Sequence, residues 1–68
     1  MEIYTNHNFL ILVKRFKSRQ EFSDFTKISI NTIKGILDKN NKPNLETLIK
    51  LNQCFNISLD SLVFEKLA

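Results

Sequence analysis

Residues 18–37 read SRQEFSDFTKISINTIKGIL, and this stretch decides the fold. Ser18 followed three positions later by Glu21 forms a capping box, in which each side chain serves a free backbone N–H of the other residue, so a helix should begin here. Phe22 and Phe25 give that helix an apolar stripe, and Ser23 is small enough to let another helix approach closely. Ile28 should pack in the turn that follows. Ser29 then caps a second helix in which Ile33, Ile36 and Leu37 recur at i, i+3 and i+4, leaving Ile30, Asn31, Lys34 and Asp38 on the other side. Two short helices, a tight turn between them, one face packing and the other free: this is the pattern of a helix-turn-helix.

Working outward, the flanks also read as helix. A first helix is expected from about Asn6 or Asn8 to Phe16. Its core, FLILV, is apolar on every side and also fits a short buried strand. Helix is preferred because no second strand of similar quality exists to satisfy the backbone of the first. After the central pair, DKNNKPN is a polar loop in which Pro43 pushes its predecessor toward extended geometry. A fourth helix beginning near Asn44 carries Leu45, Leu48, Ile49, Leu51, Cys54 and Phe55 as a wide apolar stripe, and Asn56 stands where left-handed geometry should end it. Ser58 caps a fifth, LDSLVFEKL, with Leu59, Leu62, Val63 and Leu67 able to face inward and Phe64 partly outward. The expected architecture is a single all-α domain of five helices spanning residues 1–68.

A chain of 68 residues buries only about 60% of its unfolded surface, so a partner, such as a second copy, would help its stability. Hydrophobic residues at 43% and charged ones at 25% fit an ordinary globular domain and argue against disorder. The longest apolar run, Phe9 to Val13, is too short for a membrane span or a signal-peptide core. One cysteine, Cys54, allows no internal disulfide, and with His7 the only other soft ligand no metal set is expected; the chain suits a reducing cytoplasm. The net charge of +3 is modest but unevenly placed. Residues 14–42 hold eight Lys and Arg against three Asp and Glu, and each flank is net −1. Affinity for DNA depends on cations gathered on one surface, and here they gather on the helix-turn-helix. A solvated basic surface is the plainer reading of the same pattern.

The stretch from Ser18 to Val63 closely resembles the Cro/repressor-type (XRE) helix-turn-helix family, whose members are small five-helix, lambda-repressor-like DNA-binding domains. PNLETLIKLNQCFNISLDSLV at 43–63 is similar to the family's Pro, polar cap, Leu-Glu-Thr-Leu and Ser-Leu-Asp run; KISINTIKGI at 27–36 is similar to its turn and recognition helix. There are departures. Lys27 and Lys39 stand where the family favours Gly, so Lys27 must take an unfavourable backbone angle or alter the turn. Leu37 replaces a Glu that in many members pairs with an Arg on helix 1, and the partner position falls on Leu12 or Val13. Exchanging both members of a partly buried ion pair for aliphatic groups is often neutral or stabilising.

The resemblance implies that the second helix of the motif enters the major groove N-terminus first, with Ile30, Asn31, Thr32 and Lys34 nearest the bases. Asn31 suits adenine, Thr32 a base or a phosphate, and Ile30 a thymine methyl, so an A/T-containing half-site is expected. Gly35 occupies a groove-facing position and offers no side chain, which makes base readout thin and shifts weight to DNA shape. For the phosphates, the first turn of helix 2, opened by Ser18, presents free N–H groups, with Arg19 as the first candidate for a clamp. Lys39, Asn40, Asn41, Lys42 and Asn44 would hold the backbone on the other side of the groove. Asp38 opposes this, unless it simply turns to solvent.

The phenylalanines at 9, 16, 22, 25 and 55 are spaced for helix packing rather than for base stacking, and His7 and Cys54 read as an exposed residue and a small buried hydrophobe. No nucleophile–base pair, phosphate loop or carboxylate pair is evident, so neither catalysis nor a cofactor is expected. The favoured function is sequence-specific DNA binding by a transcriptional regulator, a repressor by resemblance and of phage, mobile-element or small-operon type. It would act as a homodimer through helix 5, with Phe64 and Leu67 in the interface. The alternative is a protein-interaction module on the same fold, an antitoxin-like or anti-regulator partner whose groove face has lost its readers; Gly35, Ile30 and Asp38 favour it.

Overall fold

The computed structural model of the chain describes residues 2–68. Within them are five helices and no strand: α1 (Thr5–Val13), α2 (Arg19–Thr26), α3 (Ile30–Lys39), α4 (Leu45–Phe55) and α5 (Leu59–Phe64). Helix α1 packs on α3 and α5, α2 on α3 and α4, and α4 on α5, which closes the five into a body of 31 × 25 × 22 Å. At their centre lie Phe9, Leu12, Val13, Phe22, Ile28, Ile33, Ile36, Leu51 and Leu62, all buried. Leu12 and Val13 belong to this core, and Leu37, partly buried, packs against it.

The helix starts follow from local chemistry. Ser18, Ser29, Asn44 and Ser58 each accept, through the side-chain oxygen, the N–H three residues on. Lys27, Asn40 and Asn56 end α2, α3 and α4 in left-handed geometry at φ 65°, 56° and 55°. Asn accepts that region at little cost; Lys does not, so Lys27 does take the unfavourable angle foreseen for it. After α3 the left-handed residue is Asn40, one position beyond Lys39.

Several elements differ from expectation. Helix α1 stops at Val13, not Phe16, because the N–H groups of Arg15 and Phe16 bond the carbonyls of Leu12 and Val13, an i→i−3 tightening that unwinds the last turn. Phe16 then folds under the protein, its ring 5.3 Å from Phe22 and 6.1 Å from Phe55, both edge-to-face. Phe25, expected inside, is 53% exposed: it caps this aromatic cluster from outside, 5.4 Å from Phe16 and 5.7 Å from Phe55. Leu45 and Ile49 likewise stand on the solvent side of α4, and Cys54 is only half-buried. His7, expected in solvent, is half-buried with a ring nitrogen 2.8 Å from the Ala68 carbonyl oxygen.

Helix α5 ends at Phe64 rather than Leu67, and the cause is Asn8. This residue is fully buried on α1, where its Nδ2 donates to the carbonyls of Leu62 and Glu65, both at 2.7 Å, and its Oδ1 accepts the Leu67 N–H at 3.0 Å. One side chain thus takes the Leu62 carbonyl, which a longer helix would have paired with the Lys66 N–H, and turns the C-terminal residues back over α1.

Candidate nucleic-acid interface

Helices α2 and α3 are joined by Lys27, Ile28 and Ser29 alone. Ile28 is buried, and the Ser23 hydroxyl donates to its carbonyl at 2.6 Å, which ties the turn to α2. Thr26, buried as well, donates to the Phe22 carbonyl and accepts the Ile28 N–H. From α4, Lys50 Nζ reaches the Lys27 carbonyl at 2.9 Å. With its turn held from both sides, α3 is oriented by Ile33 and Ile36, which point into the core.

Its opposite side is the candidate reading face. At about 100° per residue, Asn31, Gly35 and Lys39 stand at i, i+4 and i+8 and form one outward ridge. Lys34 and Asp38 lie alongside it. Asn31, Lys34, Asp38 and Lys39 are exposed. Thr32 is half-buried, with its hydroxyl oxygen 2.9 Å from the donating Ser29 hydroxyl, so one of its acceptor sites is used at the helix start while its own proton stays available. Ile30 departs from expectation: half-buried and packed against the core, it presents only part of its side chain outward.

The residues expected at phosphates fall into two groups. Lys39, Asn40, Asn41, Lys42 and Asn44 are all exposed in and around the loop after α3. Asn44 Oδ1 is engaged with the Thr47 N–H, leaving its amide protons. The loop is held from α1 by Asn6, whose Nδ2 donates to Asn40 Oδ1 at 3.2 Å and to the Asn41 carbonyl at 2.8 Å. Nothing in the sequence singled out Asn6 for this task, because the contact joins residues 35 positions apart.

Ser18 and Arg19 form the second group, and Arg19 is not a free cation. Its two terminal nitrogens donate to the two carboxylate oxygens of Asp38, each at 2.9 Å, in a fork that joins the first turn of α2 to the last turn of α3. Hydrogen bonding to Arg19 holds the Asp38 carboxyl below its ordinary range, with the charges of Arg19 and Lys34 acting in the same direction; the same bond raises Arg19. Asp38 therefore does not simply turn to solvent. The pair cancels the one carboxylate on the reading face, and it leaves the remaining N–H donors of the guanidinium for another acceptor. Ser18 is exposed, its hydroxyl accepting the Glu21 N–H at 3.1 Å.

Away from this face, Phe64 is 47% exposed on α5, whereas Leu67 packs against the protein's own core. Among the described residues no group of three or more His, Cys, Asp or Glu is placed to hold a metal ion, and no helix is long and apolar enough to cross a membrane. Compared with known proteins, the chain matches no family model, no curated protein and no solved structure.

Proposed function

We propose that the chain is a non-catalytic, sequence-specific DNA-binding transcriptional regulator of the Cro/repressor type, with α3 lying in the major groove. The observation that carries this reading is the outward side of α3, where Asn31 and Lys34 are exposed beside the cationic loop of Lys39 and Lys42. Asn31 and Thr32 would meet base edges, Lys34 a base or a phosphate, and the loop the phosphate backbone. Arg19 would meet a phosphate only through the donors that Asp38 leaves free. A homodimer, joined through α5 with Phe64 rather than Leu67 at its centre, would place two copies of α3 one turn of duplex, ~34 Å, apart.

Mobility-shift titration against A/T-containing duplexes at two salt concentrations tests the proposal. A preferred sequence and a steep fall of affinity with salt are expected; no binding even at low salt overturns it.

The second reading, a protein-interaction module, draws on a different observation. Phe25, Leu45 and Phe64 are large apolar side chains about half or more exposed, and Ile30 is partly withdrawn from the reading face. Its signature would be a stable protein complex with no affinity for duplex DNA.

A further inference from the structure

The ridge Asn31–Gly35–Lys39 has a gap at its middle, where the chain's single glycine contributes no side chain. That glycine is helical, so no unusual backbone angle calls for it, and in a helix interior it costs roughly 1 kcal/mol relative to Ala. Space calls for it instead. A Cβ at position 35 would lie 2.9 Å from Nδ2 of Asn41, and Gly35 is half-buried because that side chain lies over it.

Asn41 is held there by its backbone. Its N–H donates to the Gly35 carbonyl at 3.0 Å, and its own carbonyl accepts from Asn6 at 2.8 Å. Both anchors leave the carboxamide uncommitted, and the residue is exposed. The position of that carboxamide is informative. In a short polar side chain the terminal nitrogen or oxygen stands two bonds from Cβ, about 2.5 Å. At 2.9 Å from where the Cβ of residue 35 would be, Asn41 Nδ2 lies against the gap that residue 35 leaves, near the reach that such a side chain would have had.

Resting on the DNA-binding reading above, we infer that Asn41 is a base-reading residue: delivered from the loop, its carboxamide fills the gap at Gly35 and reads adenine in the major groove between the base pairs facing Asn31 and the phosphates facing Lys39. Asn is the side chain suited to adenine, donating to N7 through one end and matching N6 through the other only when oxygen and nitrogen both face the base; the broad terminal torsion of Asn permits that turn. Gly35 is then the residue that admits the reader, and Asn6 the residue that positions it. A phosphate contact by Asn41, the role its loop position suggests, makes no use of the gap.

The test is selection of bound duplexes from a random pool with wild type, Asn41→Ala and Gly35→Ala, each checked for an unchanged unfolding midpoint or, for Gly35→Ala, a raised one. The wild type should enrich adenine at one position of each half-site. Asn41→Ala should lose that preference alone, with affinity for the adenine-containing site down roughly five- to 150-fold and the salt dependence unchanged, because no charge is removed. Gly35→Ala, which displaces the carboxamide, should lose the preference at the same position. If Asn41→Ala weakens all sequences equally, or changes no position of the enriched site, the inference fails while DNA binding stands. A wild type that enriches nothing overturns the DNA-binding reading itself, and this inference with it.

Discussion

Replacing Asn8 with alanine should unfold this domain more readily than any surface change, and the size of the effect follows from its three bonds. The side chain is wholly buried, with two bonds at 2.7 Å to the carbonyls of Leu62 and Glu65 and one at 3.0 Å from the Leu67 N–H. A typical bond of this kind contributes about 1 kcal/mol net, and an orphaned buried partner costs more, so the loss should be about 2–4 kcal/mol. At 0.05–0.15 kcal/mol per residue a chain of this length has roughly 3–10 kcal/mol in all. The variant should therefore melt about 8–32 °C lower, since each kcal/mol moves the midpoint of a domain this small by about 4–8 °C. Urea and thermal unfolding followed by circular dichroism measure both quantities. Asn8→Asp sharpens the test, because it keeps the acceptor for Leu67 but sets a carboxylate against two carbonyl oxygens. It should be the less stable variant at neutral pH and should recover part of its stability in mild acid, where a protonated carboxyl can donate to one of them. An Asn8→Ala protein within about 0.5 kcal/mol of wild type would refute the claim that this residue ties the C-terminal segment to α1.

Lys27→Gly should stabilise the protein by about 0.5–1 kcal/mol, read as a midpoint a few degrees higher, because glycine removes the left-handed penalty while the carbonyl that binds Lys50 is kept. Asp38→Asn should bind DNA more tightly at low salt and raise the steepness of the salt dependence by roughly 0.9, as Arg19 is released to a phosphate; an unchanged slope would show that Arg19 never reaches one. Asp38 is held below its ordinary pKa in the folded state, so its contribution is complete above the unfolded carboxylate value of about 4 and disappears as pH falls through the lower folded value. The stability difference between wild type and Asp38→Asn should accordingly shrink toward zero down that acid limb in pH-dependent urea titrations. Phe64→Ala should shift sedimentation from dimer toward monomer, and wild type sedimenting as a monomer at all concentrations would exclude a dimer through α5.

The residues from Ser18 to Leu37 were legible because their signals are local. A cap binds three residues ahead, and an apolar stripe repeats every turn, so the starts of α2–α5 and the inward set Ile33, Ile36 and Leu51 could be read from spacing alone. The candidate site was legible in its list of residues and not in their state. Ile30 shares the periodicity of an outward residue yet leans on the core, and Phe25 shares that of an inward one yet covers an aromatic cluster from the solvent side. Arg19 read as a free cation because Asp38 lies 19 positions away, beyond the reach of any pattern within one helix.

By itself the sequence determined that the chain makes five short helices, where four of them are capped, and which face of α3 is polar. These are properties of hydrogen bonds and hydrophobic periodicity within a few residues. Only the tertiary structure decided that Asn8 ends α5, that Asp38 claims Arg19, and that Asn6 holds Asn41 over Gly35. Each of those depends on the distance between groups far apart along the chain, a quantity that exists only once the core has brought the helices together.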